Sequence, residues 1–397
     1  MLITVGLVLS SVMCKDFLLV NKGQHDYLFA QEHNLENIAV IDDLYIYKTS
    51  SDNLLKFKYT LSKNFIIEED QTISLNHQQP IIPQDPQNPY NYLTKQSDLI
   101  LSKQQIPWHL ARITNKSLPL TEHYPYNYTG SCHTNPDLQV DTYIVDTGID
   151  VTHNQFSGRA NWLANFADTV DTDCQNHGTH CAGIIGSRDY GVCKDTRLFA
   201  VKVLDCNGSG SLSNVMRGIE FVYNKHKENT LDLDQSKVVK SIISMSLGGG
   251  FSRTLNMVVE KCLEKDPNFY IVVAAGNENS DSCNVSPASA KNVITVMASD
   301  IDDNRARFSN WGKCSGIYAP GVDILSTVPD NKLARYSGTS MATPLVVGII
   351  NHYLHMYPYL DNNGIKAKLT KLSSKNVVIG SKKNTNNNLV YLHRKEK

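Results

Sequence analysis

The chain has 397 residues, enough for a large core plus an accessory domain, and carries 41% hydrophobic and 19% charged residues with a formal net charge of −1. That balance fits an ordinary globular protein and gives no reason to expect nucleic acid or an anionic membrane surface as partner. Residues 1–13 are apolar and lead into Cys14-Lys15-Asp16, a length that suits a signal-peptide core and is too short to span a bilayer. They lack a basic start and an Ala-x-Ala site, so removal of residues 1–14 rests on Val12 and Cys14 flanking the cut. A buried N-terminal strand is the alternative reading. No later segment is apolar enough to cross a membrane.

Residues 15–76 read as a small α+β block, with strands at Phe17–Val20, Ile38–Ile41 and Leu44–Tyr47 and a short helix at Asp26–Leu35. Gln78–Asn91 is rich in Pro, Gln and Asn, a linker composition. From Asp141 onward strands alternate with helices. Arg197–Leu204 and Val239–Leu247 are strand-like, whereas Leu212–Glu228, Thr254–Lys265, Leu345–Met356 and Gly364–Leu372 have helical apolar spacing. This alternation predicts an α/β fold, a three-layer sandwich around a mainly parallel sheet. The Lys- and Asn-rich stretch after Gly380 is expected to be loosely attached. No internal repeat is present.

Four segments carry candidate chemistry. Val140–Gly148 reads as a buried strand that brings Asp146 to its C-terminal end, where α/β proteins place their reacting groups. Asn176–Gly186 puts His177 at a helix start, with small residues at Gly178, Ala182 and Gly183 allowing close packing. Phe269–Asn279 is a second buried strand with the Asn277 amide just beyond it, a possible donor to an oxyanion. Tyr336–Pro344 sets Ser340 among small residues where a turn enters an apolar segment. Each residue alone has an ordinary explanation: a strand-end turn, a structural histidine, a turn amide or a helix cap. His177 and His180 do not make a zinc-protease pair, because the spacing lacks the glutamate and third ligand of that signature. Val145–Gly148 also reads as an aspartic-protease motif, but that chemistry needs a second Asp-Thr-Gly or Asp-Ser-Gly, and the chain has none.

Together, Asp146-Thr147-Gly148, His177-Gly178-Thr179-His180 and Gly338-Thr339-Ser340-Met341-Ala342-Thr343-Pro344 resemble the motifs of the subtilisin-like serine protease family, most closely its proteinase K-like branch. The order Asp, His, Ser is the family's. The resemblance implies a serine endopeptidase in which Asp146 orients the imidazole, His177 is the general base and Ser340 the nucleophile. Asn277 and the Ser340 N–H would form the oxyanion hole. It also implies that Gly208-Ser209-Gly210 pairs with extended substrate by strand addition, and that Ser246-Leu247-Gly248 and Ala274-Ala275-Gly276 wall the primary specificity pocket. Those walls are apolar, so broad cleavage after apolar or aromatic residues is expected. Glu278 and Asp281 are the carboxylates to suspect should a basic preference appear.

The run Ala30–Ile38 loosely resembles the pro-regions of kexin-like relatives, and Ile106–Ile113 resembles the start of mature proteinase K-like domains. Residues 15–100 are therefore expected to be an inhibitory, chaperoning propeptide, removed by self-cleavage between Gln96 and Gln105, with the peptidase domain from about residue 101 to Lys397. A permanent accessory domain is the alternative. Without Cys14 eight cysteines remain, as an oxidised framework would have. Resemblance suggests the pairs Cys174–Cys206 and Cys283–Cys314 and a free thiol at Cys181, and leaves Cys132, Cys193 and Cys262 unassigned. Asn115, Asn127, Asn207 and Asn284 begin glycosylation sequons. Two positions depart from the family: Gly316 replaces a calcium-binding Asp, and Leu345 replaces the His that often follows Thr-Pro. The expectations are then a secreted monomer acting on proteins and peptides, held by its own propeptide. No cofactor or metal is expected, and no calcium site is identified.

Overall fold

The computed structural model describes residues 15–22, 27–54, 65–75, 106–120, 132, 135–232 and 237–393. The leader 1–14, the linker 78–91, the expected processing region 96–105 and Asn127 lie outside them.

The first block is a four-stranded antiparallel sheet. Strands β1 (Asp16–Lys22), β2 (Glu36–Ile41), β3 (Leu44–Ser50) and β4 (Phe65–Glu69) pair in the order β2-β3-β1-β4, and helix α1 (Tyr27–Glu32) lies between β1 and β2 in sequence. The two-residue period of a strand explains its two faces. Leu18 and Val20 join the main core, while Leu19 packs with Ala30 and Tyr47 on the other side. A short strand β5 (Thr72–Ser74) follows. Helix α2 (Trp108–Ile113) comes next, anchored by a buried Arg112–Asp303 ion pair at 2.7 Å.

Among the described residues the larger sheet has nine strands, and the short strands β9 (Ser209–Ser211), β11 (Gly249–Gly250), β13 (Val285–Ser286), β16 (Ile324–Val328) and β17 (Lys332–Tyr336) lie outside it. In chain order its members are β6 (Leu138–Asp146), β7 (Ala160–Asn165), β8 (Arg197–Lys202), β10 (Val238–Met245), β12 (Phe269–Ala274), β14 (Ile294–Ser299), β15 (Ile317–Pro320), β18 (Ser374–Lys375) and β19 (Asn388–Leu389). Their spatial order is β18-β19-β15-β14-β12-β10-β6-β8-β7, parallel except for the β18–β19 pair. Every residue of β12 is buried, as expected for a parallel strand covered on both faces. From β6 the chain crosses to β7, comes back to β8 beside β6, and then passes to β10 on the other side of β6. The C-terminal ends of β6 and β10 therefore flank the crevice that α/β sheets use for ligands.

Helices α3 (His177–Gly186) and α6 (Thr339–Met356) pack into one core with one face of the sheet. Helices α4 (Leu212–Asp232) and α5 (Arg253–Lys265) share the core of the other face with Leu18 and Val20 of the small sheet. Helix α7 (Asn362–Leu372) follows α6 near the end of the chain. The small residues of α3 act as the sequence suggests: a methyl at Gly183 would sit 2.1 Å from Thr327 Oγ1, and one at Gly178 only 2.0 Å from Gly148 O.

Two expectations change. The helix behind Ser340 starts at Thr339 rather than Leu345, so Ser340 lies inside its first turn. Pro344 cannot donate to the Ser340 carbonyl, and that carbonyl accepts instead from Ser246 Oγ at 2.9 Å and Cys181 Sγ at 3.4 Å. The stretch after Gly380 is not loosely attached. Leu389, Val390 and Leu392 are fully buried, Val390 N donates to Tyr318 O and Leu392 N to Ile113 O. Three apolar side chains in four residues outweigh the polar composition around them.

Candidate active site

The strands bring the four candidate segments to one place. Asp146 ends β6, and its Oδ1 lies 2.8 Å from Nδ1 of His177, the first residue of α3. Nδ1 is thus engaged, and Nε2 is the nitrogen that can take a proton from serine. Both side chains are buried. Burial alone would push the His177 imidazole down, but the facing Asp146 carboxylate, with Cys181 behind it, more than reverses this and holds its pKa well above the ordinary 6.5. The imidazole therefore stabilises the proton it receives, and its basic form prevails on the alkaline side.

Ser340, in the first turn of α6, donates to Ser246 O at 3.1 Å. Ser246 follows β10 and also donates its own hydroxyl to Ser340 O, so Ser340 is fixed to the crevice from both directions. Cys181 is a free, buried thiol 3.9 Å from His177 Nδ1, and burial raises its pKa. It stays a thiol beside the imidazole.

Asn277 is held so that its amide nitrogen is the free end. Its Oδ1 accepts from Thr339 N at 2.8 Å and Thr339 Oγ1 at 2.9 Å, whereas Nδ2 is buried with no partner among the described residues. A methyl at Gly338 would stand 3.6 Å from Nδ2 and 3.5 Å from Ser340 N, so these two donors border the same small space. An orphaned buried donor costs stability unless a ligand meets it. Asn310, which sequence reasoning missed, shapes the supporting turn: its amide bonds Ala275 O, Glu278 N, Ser280 N and the Glu278 carboxylate. Glu278 is thereby tied to Asn310, and Asp281 caps the turn at Cys283 N.

Ser246-Leu247-Gly248 follows β10 and Ala274-Ala275-Gly276 starts at the end of β12, its parallel neighbour, while the Gly208-Ser209-Gly210 edge is already paired. Strand β9 (Ser209–Ser211) forms an antiparallel ladder with β5, setting Ile73 opposite Gly210 and Ser74 opposite Ser209. Leu75 N donates to Gly208 O at 2.9 Å and Ser74 N to Gly248 O at 3.4 Å. Ile73 is fully buried among Leu212, Leu247 and their neighbours. The alternation in Thr72-Ile73-Ser74-Leu75 was the signal available in sequence, although four residues are too few to single out. Carboxylates beside this strand fasten it. Asp70 accepts from Ser213 N and Oγ at the start of α4, and Glu68 accepts from Thr254 N and Oγ1 at the start of α5.

Cys174–Cys206 and Cys283–Cys314 are joined as the resemblance implied, and Cys132–Cys193 forms a third disulfide. Cys262 is free and buried. His180 is not a partner ligand of His177: its Nε2 meets Ala334 O at 3.1 Å, its ring stacks on Tyr336, and burial pushes its pKa down to about 3. Gly316 sits against Thr295, its N–H donating to Thr295 O. Among sequon residues, Asn207 and Asn284 are exposed, while the Asn115 amide is spent on Ala111 O.

The comparisons with known proteins agree with this geometry. The profile of the Subtilase family matches residues 143–390. A subtilisin-like serine protease of Rhodotorula mucilaginosa is 46% identical over 262 residues, 64% of this chain and 73% of the relative. Cerevisin of Saccharomyces cerevisiae is 41% identical over 302 residues (72% and 46%), and alkaline protease 2 of Aspergillus fumigatus 43% over 280 residues (69% and 55%). The matched region thus spans about half the length of the latter two. The crystal structure of a cold-adapted subtilisin-like serine proteinase superposes with a TM-score of 0.65 at 35% identity, covering 73% of this chain and all of that one.

Proposed function

The chain belongs to the subtilase family of serine endopeptidases, and from that premise we propose that it is a secreted protease made as a self-processing zymogen. The Asp146–His177 bond beside Ser340 carries the catalytic part of this reading. Ser340 attacks the scissile carbonyl, His177 takes its proton and returns it to the leaving amine, and Asn277 Nδ2 with Ser340 N–H meets the oxyanion. Water then hydrolyses the acyl-enzyme by the same proton path in reverse.

Proteins and extended peptides are the proposed substrates, bound along Gly208-Ser209-Gly210 and Gly248 by strand addition. The Ser246-Leu247-Gly248 and Ala274-Ala275-Gly276 walls favour apolar or aromatic residues before the cut. Glu278 supports this preference, because its carboxylate is already bonded to Asn310. A peptide library should show cleavage spread over apolar and aromatic residues; a strict Arg or Lys requirement would contradict it.

The observation behind the zymogen reading is β5, which lies where substrate would lie. Residues 15–100 are proposed to be the propeptide, and residues 1–14 the signal peptide that directs secretion. Among the described residues no helix is long and apolar enough to cross a membrane. The antiparallel bridge of Ser74 to Gly248 sets the end of β5 beside the Gly248-Leu247-Ser246 segment, whose Ser246 bonds Ser340. A first cut just past Leu75 therefore belongs to the proposal, with the mature start between Gln96 and Gln105 reached by a second. Sequencing both termini of the fragments from full-length protein should find these ends, and Ser340→Ala should abolish them. An active enzyme still beginning near Lys15 would contradict it. A scaffold held permanently by its own pro-segment is the alternative, and would show no peptide hydrolysis after that segment is cut.

A further inference from the structure

One buried carboxylate near the site has no part in the reaction described so far. Asp173 is 2% exposed and accepts five hydrogen bonds: from Thr147 Oγ1 at 2.8 Å, Gln175 N at 3.2 Å, Asn176 N at 2.9 Å, Thr179 N at 2.8 Å and Thr179 Oγ1 at 2.6 Å. We infer that Asp173 is a positioning residue of the catalytic site, locking the Asp146 turn to the start of the His177 helix and supplying a second anion beside the imidazole. The inference rests on the peptidase reading above.

The bonds run through both halves of the Asp146–His177 pair. Thr147 is the neighbour of Asp146, and its N–H donates to Asp146 Oδ1 at 2.7 Å. The Thr147 hydroxyl gives its proton to Asp173 and accepts from Gly178 N at 2.9 Å, one residue past His177. On the helix side, the Thr179 hydroxyl also donates to Asp173 and accepts from Asp150 N at 2.9 Å, which returns to the strand-end turn. A single carboxylate is therefore the common acceptor of two hydroxyl bridges between the turn and the helix. Asn176, the residue before the helix, has a left-handed backbone (φ 82°) and makes no side-chain cap. Asp173 takes over that duty three residues earlier in the chain.

Electrostatics gives this placement a second consequence. The first turn of a helix presents the positive end of its dipole and disfavours an imidazolium there. His177 is the first residue of α3 and must carry a proton during the reaction. A carboxylate on the Thr179 N–H offsets that field. The other groups around the helix start are Asp146 from β6, Asp150 from the turn after it, Cys181 and His180 from the helix itself, Tyr336, which stacks on His180, and Ser340 from α6, whose carbonyl accepts from Cys181. His180 and Tyr336 are kept neutral by burial, and Cys181 remains a thiol. Of the carboxylates here, Asp146 bonds the imidazole directly and Asp173 bonds the start of the helix that carries it.

A cap with only a structural role would change stability and leave the pH profile in place, which separates the two possibilities. The full-length chain carrying Asp173→Asn is expressed, allowed to process, and assayed on a peptide substrate across the acid limb and plateau. kcat is expected to fall about 100-fold with KM unchanged, and the acid limb of kcat/KM to move to lower pH as His177 becomes less basic. An unmoved limb with kcat near the wild-type value would overturn the inference. If Asp173→Asn fails to fold, Thr147→Val and Thr147→Ser decide it. The isosteric valine should lower kcat about tenfold and the serine restore it, whereas a valine variant as active as wild type would overturn it. Wild type without Ser340-dependent hydrolysis would instead overturn the peptidase reading.

Discussion

Ser340→Ala should lower kcat on a peptide substrate by about a millionfold, a magnitude carried over from subtilisin. The reason is that nucleophile and base act as a unit. Without the hydroxyl, His177 has no proton to accept, and the only remaining route is direct attack by water assisted by Asn277 and the binding strands. His177→Ala should therefore cost about as much, and the double variant little more than either alone. Folding should survive, because Ser340 Oγ contributes one bond to Ser246 O, while the Ser340 carbonyl keeps its donors from Ser246 and Cys181. Steady-state kinetics on variants whose pro-segment has been cut and released in trans by wild-type enzyme, with a thermal melt as control, check this. Multiplicative losses in the double variant would mean that the two residues do not share one step.

The second large effect is expected at Asn277. Asn277→Ala should reduce kcat about 100- to 1000-fold with KM nearly unchanged, the range found for the corresponding donor in subtilisin. Nδ2 has no protein partner in the resting site, so its interaction is gained only when a carbonyl oxygen becomes an oxyanion. Asn277→Asp makes the test sharper. Its Oδ1 can still accept from Thr339 N and Oγ1, so the turn keeps its support while the donor becomes a second acceptor. Activity should fall at least as far as in the alanine variant. A rise in KM at constant kcat would instead assign Asn277 to substrate binding.

Much of this site was legible in the chain because its chemistry is local. A buried strand ending at Asp146, a small-residue helix opening with His177, and Ser340 between Thr339 and Met341 are each written within about ten residues. The parallel sheet was legible for the same reason, since fully buried strands such as Phe269–Ala274 are continuous apolar runs. What sequence could not give are partnerships made across distance. Asp173 reads as one more acid in a polar loop, and only the fold brings Thr147, Thr179 and the helix N–H groups around it. Thr72–Leu75 gains meaning from β9 and Gly248, more than 130 residues away in sequence. The start of α6 is not legible in the chain, because a proline six residues into a helix normally ends it. Here Ser246 and Cys181 satisfy the carbonyl that Pro344 leaves open. The end of the chain misled by composition: its asparagines are structural, Asn387 bonding both the N–H and the C=O of Val378.

The central claim is that Ser340, activated by His177 and Asp146, is the nucleophile once the pro-segment leaves the cleft. A fluorophosphonate probe tests it most directly, because an activated serine displaces fluoride and keeps the phosphonyl group on Oγ. The processed enzyme should take up one probe per chain, peptide mapping should place it on Ser340, and Ser340→Ala and His177→Ala, cleared of their pro-segment in trans by wild-type enzyme, should take up none. Labelling at another residue, or a processed wild-type enzyme that hydrolyses peptides with Ser340 unlabelled, would contradict it.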